Sequence, residues 1–265
     1  MTEFTKDAVK QLSAYLNEPE WMLSFRLAAF EKFEATPMPT TQDEAWRRTN
    51  LRRFKLNSFS PSVNGDANTS ATIPADLQGQ FADEPSGGLL TQIDGVTTEY
   101  EFSEELKAQG VIFCDMSTAV SKHPELVQKY FMTEGVTVNE GKFAALHGAF
   151  WRGGTFLYVP KGVKAAAPLH STLWSASGKT FTHTLVVMEE GAEANFLDVY
   201  ASPVDGGAAL HNGVIELLVR DNATLVYSGL QDFNKNSWQF NHERGRGGRD
   251  GKLDWVTSWM GTRLS

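Results

Sequence analysis

The sequence predicts a mainly β protein, with a parallel β-helix over residues 153–265 entered through an α-helical region and a small α/β connecting unit. Three observations carry this. A corner followed by a strand returns at steps of about thirty residues along the last hundred or so positions, apolar and polar residues alternate behind each corner, and residues 1–56 repeat their apolar side chains at helical spacing.

Residues 1–56 read as the helical region, because Val9, Leu12 and Leu16 fall three and four apart. Asn17-Glu18-Pro19-Glu20 then offers a capping side chain, a proline for the first turn and a carboxylate behind it, which predicts a helix start. Trp21, Phe25, Ala28, Ala29, Lys32 and Phe33 mark its inner face, and Pro37-Met38-Pro39 stops it. The stretch EAWRRTNLRRFKL gathers Arg47, Arg48, Arg52, Arg53 and Lys55 around Trp46, Leu51 and Phe54. A phosphate patch would use such cations, but a solvated helix face is the commoner use of such a run. Residues 57–88 turn to Asn, Ser, Gly, Pro, Ala and Thr with few apolar anchors, the composition of a flexible linker. Residues 89–152 form the α/β connecting unit. A hairpin turns at Asp94-Gly95, GVIFCD is a short buried strand, Pro124 opens a helix over ELVQKYF, and KFAALHGAFW is a second short helix.

The β-helix shows itself in the stretch VPKGVKAAAPL, which returns as EEGAEANFLDVY, RDNATLVYSGL and RDGKLDWVTSWM. The first apolar residues after the corners, Val163, Ala192, Ala223 and Leu253, lie 29, 31 and 30 residues apart. Two residues on stand Ala165, Ala194, Leu225 and Trp255, separated by Lys164, Glu193, Thr224 and Asp254, so one face of each strand is buried. FLYV, LVVM and ELLV precede the first three corners as a second, more continuously apolar strand. Two strands in about thirty residues suit a stacked coil better than a propeller blade, which needs about four strands in about forty. Small residues such as Ala165, Ala167 and Ala192 fit where two sheets close on each other, and Gly162, Gly191, Asn222 and Gly251 sit where a corner demands positive φ. A glycine-rich hairpin sandwich could also produce the alternation.

Composition narrows the function classes. With 24 basic against 32 acidic residues the net charge is −8, so a nucleic-acid backbone is repelled on average. No apolar run approaches the roughly 18 residues of a membrane span, and MTEFTKDAVKQL has acids where a signal peptide needs a basic and then an apolar stretch. A cytoplasmic protein is expected. The single cysteine, Cys114, can neither close an internal disulfide nor hold a metal alone, and inside GVIFCD it reads as a small core residue.

No catalytic, cofactor-binding or metal-ligating residue is singled out. His183, His211 and His242 precede their corners by 8, 11 and 9 residues, so they build no ladder, and His170 adds none. SGKT at Ser177 to Thr180 lacks the earlier glycine of a P-loop, since Leu173 stands there. RGRGGRDG resembles an RNA-binding arginine–glycine segment but reads as a solvated insertion at the coil's edge. A polysaccharide-active β-helix enzyme would align acids along one sheet, whereas Lys164, Glu193, Thr224 and Asp254 change character from turn to turn. No ordered Ser/His/Asp set can be chosen from spacing.

The blocks PEWMLSFRLAAFEKF, PMP, WRRTNL, GVIFCDMSTAVSKHPELVQKYF, KFAALHGAFWRGGTFLYVPKGV and THTLVVMEEGAEANFLDVYASP together resemble the SufB/SufD family of iron–sulfur cluster assembly proteins. The PEW helix with its proline-rich exit looks closer to the SufD branch. The resemblance implies a right-handed parallel β-helix behind a helical amino-terminal region, and a scaffold role without catalysis of its own. It implies SufB-like and SufC-like (ATPase) partners in a SufBCD complex, with a nascent iron–sulfur cluster only in the full complex and no cofactor bound by this chain alone. Members of the family run longer, so an incomplete coil is expected here, its open end over residues 253–262 inviting self-association.

Overall fold

The computed structural model describes residues 3–64, 67–78 and 86–263. Helix α1, Lys6–Tyr15, starts where the Thr5 hydroxyl accepts the Ala8 amide at 3.2 Å, and buries Val9 and Leu12. It ends in a left-handed residue, Asn17 at φ 50°. Asn17 therefore closes the first helix and does not cap the second. Helix α2, Glu20–Ala35, begins after Pro19 and turns inward Met22, Arg26, Ala29, Phe30 and Phe33, a face rotated from the one expected. The reason is Arg26, fully buried in an ion pair with Glu18.

EAWRRTNLRRFKL is not a helix. Only single 3-10 turns form, at Glu44–Trp46 and Leu56–Ser58, because Trp46, Leu51 and Phe54 share no helical stripe and enter the core separately. Trp46 lies 5.6 Å from Phe143, and Phe54 lies 5.2 Å from Trp238. The basic side chains of the stretch are exposed, as a solvated face requires. Nor is the following segment loose where it is described. Ser60, Ser62 and Val63 are buried, Ile73 packs with Ile93, Trp174 and Ala201, and α3 is one short turn, Ala75–Gln78. The rest of the expected linker, residues 65, 66 and 79–85, lies outside the described residues.

The hairpin forms as expected from β1, Gly88–Ile93, and β2, Val96–Phe102, turning on Asp94 and Gly95 at φ 50° and 77°. Helix α4, Glu104–Ala108, leads to β3, Ile112–Asp115, whose last carboxylate caps α5, Met116–Lys122. Helices α6, Pro124–Tyr130, and α7, Lys142–Phe150, match the expected pair. The coil then runs through β4 Thr155–Val159, β5 Lys164–Trp174, β6 Lys179–Thr180, β7 His183–Met188, β8 Glu193–Ala201, β9 Ala209–Val219, β10 Thr224–Phe233, β11 Ser237–Gly247 and β12 Lys252–Gly261.

Two sheets make the solenoid, in the orders β2-β1-β5-β8-β10-β12 and β3-β4-β7-β9-β11, with β6 added beside β9. Pairing is parallel except for β1 with β2 and β3 with β4. Residues 89–152 are therefore no separate connecting unit. Strand β1 is the first rung of one sheet and β3 edges the other, because Leu90 and Phe113 belong to the same apolar core as the later rungs.

The corners fall at Gly162, Gly191 and Asn222, with φ 72°, 70° and 58°, but the fourth is Asp250 at φ 55° and not Gly251. Aspartate tolerates the left-handed region, so the neighbouring glycine was misleading. The register moves accordingly. Ala165, Ala194 and Leu225 stack as expected, and the fourth member is Leu253, while Trp255 lies over Tyr227 and Phe196. Between Ala165 and Leu169 the register slips, so Ala166, Ala167 and Pro168 bulge outward and Ala167 does not line the interior.

Candidate functional site

The interior is divided along each rung. One half is apolar, with Leu157, Val159, Val186, Met188, Leu217 and Val219 of one sheet meeting Ala165, Leu169, Phe196 and Leu225 of the other. The other half is polar. Asp198, buried on β8, accepts Thr184 Oγ1 at 2.9 Å, Tyr200 Oη at 2.7 Å and Tyr227 Oη at 3.0 Å. Thr155 and Ser171 meet at 2.7 Å beside it, and Ser175 meets Thr180 further along.

Burial pushes the Asp198 carboxyl up, and the surrounding hydroxyls pull it back. Tyr200 and Tyr227 are held well above the usual tyrosine range, by burial first and the Asp198 charge second. Two protonated phenols fixed on a buried acid form a structural pin between the sheets. Glu243 is also pushed up, chiefly by burial.

His211 lines a small cavity with Thr182, Phe233 and Gln239, stacks on Phe233 at 3.4 Å, and is driven by burial down to about 3, so it is neutral at pH 7. His170 is buried in β5, and burial lowers His242. His183 lies in a buried chain on the outer side of its sheet. Its Nδ1 is 3.0 Å from His147 Nε2, its Nε2 is 3.0 Å from Glu216 Oε2, and His147 Nδ1 is 2.9 Å from the Asn212 carbonyl. Sequence reasoning did not single out His147 or Glu216. The available signal was one polar residue in each of two apolar runs, KFAALHGAFW and ELLV.

Cys114 is buried and its thiol is pushed up to about 12 by desolvation and then by Asp115, which makes it inert at neutral pH. SGKT makes a turn at Gly178, φ 69°, and the short strand β6. RGRGGRDG is no insertion. Arg244 to Gly247 pair in register with Glu216 to Val219, and Gly248 fits where a Cβ would meet Asp221 Oδ1 at 2.4 Å. Arg244 pairs with Glu140 at 2.6 Å and Arg249 with Asp221 at 3.6 Å. The outward row is Lys164, Glu193, Thr224 and Lys252, with Asp254 two places on; Lys164 and Glu193 form an ion pair at 2.7 Å, not a carboxylate pair. Among the described residues no cluster of three or more His, Cys, Asp or Glu side chains is placed to hold a metal ion.

What the molecule offers outward is surface. Strands β11 and β12 each have a neighbour on one side only among the described residues. On β12, Val256, Trp259 and Met260 are 65%, 45% and 47% exposed. No helix among the described residues is long and apolar enough to cross a membrane.

A two-sheet parallel β-solenoid behind helices, with a pinned interior, defines a β-solenoid protein. Its family is the SufBD family of iron–sulfur cluster assembly, to which this chain belongs. Residues 6–170 match the SufBD protein N-terminal region, and residues 172–265 match the SUF system FeS cluster assembly SufBD core domain. The iron–sulfur cluster assembly protein SufD of Bacillus subtilis is 33% identical over 261 residues, covering 96% of this chain and 59% of that protein. SufBD family proteins of Staphylococcus saprophyticus and Staphylococcus haemolyticus are 28% and 29% identical, each over 98% of this chain and 57% of the relative. The chain thus spans well under two thirds of the length of these relatives.

Proposed function

We propose that the chain is a SufD-like scaffold component of a SufBCD-type complex, acting through protein surfaces with no catalysis of its own. The observation that carries this is the family match over residues 6–170 and 172–265. The partners are SufB-like and SufC-like subunits, the latter supplying ATP hydrolysis. The nascent iron–sulfur cluster is cargo of the whole complex in the cytoplasm. Co-purification with full-length SufB and SufC, followed by cluster reconstitution, tests it. Retention of both partners is expected; loss of both, while full-length SufD retains them, overturns the scaffold role.

Self-association is the second reading, favoured by the exposure of Val256, Trp259 and Met260 on β12. Size-exclusion chromatography of the chain alone would then show concentration-dependent association weakened by Val256→Lys. A clean monomer at high concentration excludes it.

A further inference from the structure

The His147, His183 and Glu216 chain lies outside the polar interior and none of its three side chains has solvent exposure, so every hydrogen in it can be counted. His147 Nδ1 faces the Asn212 carbonyl at 2.9 Å, and a carbonyl only accepts, so this nitrogen carries a hydrogen. One hydrogen must lie in the 3.0 Å contact between His147 Nε2 and His183 Nδ1. At the far end His183 Nε2 approaches Glu216 Oε2 at 3.0 Å, an ion-pair contact and not an aligned hydrogen bond. Without a hydrogen there, an electron-rich imine nitrogen and a carboxylate oxygen would be held 3.0 Å apart out of reach of solvent. Three contacts therefore need three hydrogens, and two neutral imidazoles supply two.

The carboxylate end is built to match. Glu216 Oε1 accepts the Val136 amide and Oε2 the Met132 amide, both at 2.9 Å. Met132 turns its amide inward from a left-handed conformation, φ 49°, which a residue with a Cβ adopts only when its surroundings hold it there. Gly135 passes so close that a Cβ would stand 2.5 Å from Glu216 Oε1. Residues 131–136 thus wrap the carboxylate with backbone.

We infer that the chain of His147, His183 and Glu216 holds one proton beyond two neutral imidazoles and a carboxylate at neutral pH. We also infer that this charge-neutral set latches residues 131–136 to the solenoid. The groups around it are consistent with that balance. Arg26 on α2 is already paired with Glu18, while His242 on β11 acts on His147 only weakly. Burial and then the charge at His183 hold His147 well below the usual histidine range. Phe131 covers His183 at 4.2 Å and shields the set from water. This inference does not depend on the scaffold role.

Nitrogen and carboxyl NMR of the full chain at pH 7.5, with labelled histidine and glutamate, tests the count. A neutral His147 with its hydrogen on Nδ1 is expected. Beside it, either a cationic His183 faces an ionised Glu216, or both rings are neutral and Glu216 keeps the proton. Two neutral rings beside an ionised Glu216, or two cationic rings, overturn it. The latch is read by amide exchange in Glu216→Gln. Met132 and Val136 should exchange at least about tenfold faster relative to the amides of α1, which contributes no residue to the set. Unchanged ratios overturn the latch. Should that variant not fold, Gly135→Ala, which crowds the carboxylate, must raise the same two rates or the latch fails.

Discussion

Replacing Arg26 by methionine should cost about 3–5 kcal/mol, because it leaves Glu18, whose side chain is only 4% exposed, as a buried charge without a partner. The pair is bidentate, Nε to Oε2 at 2.7 Å and Nη2 to Oε1 at 2.6 Å. Arg26 Nη1 donates to the Ala149 carbonyl at 3.2 Å, and the guanidinium lies 4.6 Å from the Trp151 ring centre, a contact worth about 1–2 kcal/mol more. Removing both charges tells the two contributions apart. In Glu18→Leu/Arg26→Met the stranded carboxylate is gone, so the double variant should be more stable than Arg26→Met by about 2 kcal/mol or more. The assay is urea unfolding followed by far-ultraviolet circular dichroism and tryptophan fluorescence, extrapolated linearly when the two transitions coincide. If Glu18→Leu and Arg26→Met add to within about 0.5 kcal/mol, the two side chains are not coupled and the account of the rotated face of α2 is wrong.

Three further outcomes follow from single residues. His211, near 3 in the fold against about 6.5 in an unfolded chain, binds fewer protons folded than unfolded between those values. Its contribution is whole above about pH 6.5 and is lost as pH falls toward 3, so His211→Gln should flatten the acid limb of a stability profile measured by urea unfolding. Cys114, pushed up to about 12 from 9.0, should react with iodoacetamide at pH 8 about a thousandfold more slowly than in urea; equal rates would show that the thiol is accessible and ordinary. Asn222, at φ 58°, should tolerate glycine with little change and lose about 1–2 kcal/mol as alanine, read by thermal unfolding.

The solenoid was legible because its signal is repetition. Alternation and corner residues identified the strands and three of the four left-handed positions, and Pro124 and the Asp94-Gly95 turn were local signals that tertiary contacts left unchanged. What failed depended on partners distant in sequence. Nothing near Trp46 or Phe54 says that each inserts separately among Phe143, Trp238 and Phe240, so a strap read as a helix. Leu90 and Phe113 carry no thirty-residue period, so the strands that begin the coil read as a separate unit. Glu216 looked like a polar interruption in an apolar strand, because its three partners come from loop 131–136 and His183.

The first border of the coil limits what can add to it. The outermost strands at the start are β2, which sets Glu99 and Glu101 at an exposed border, and β3, only four residues long. An acidic border and a short one are what natural sheets use to refuse an added strand, so this side of the solenoid is closed to edge-to-edge growth.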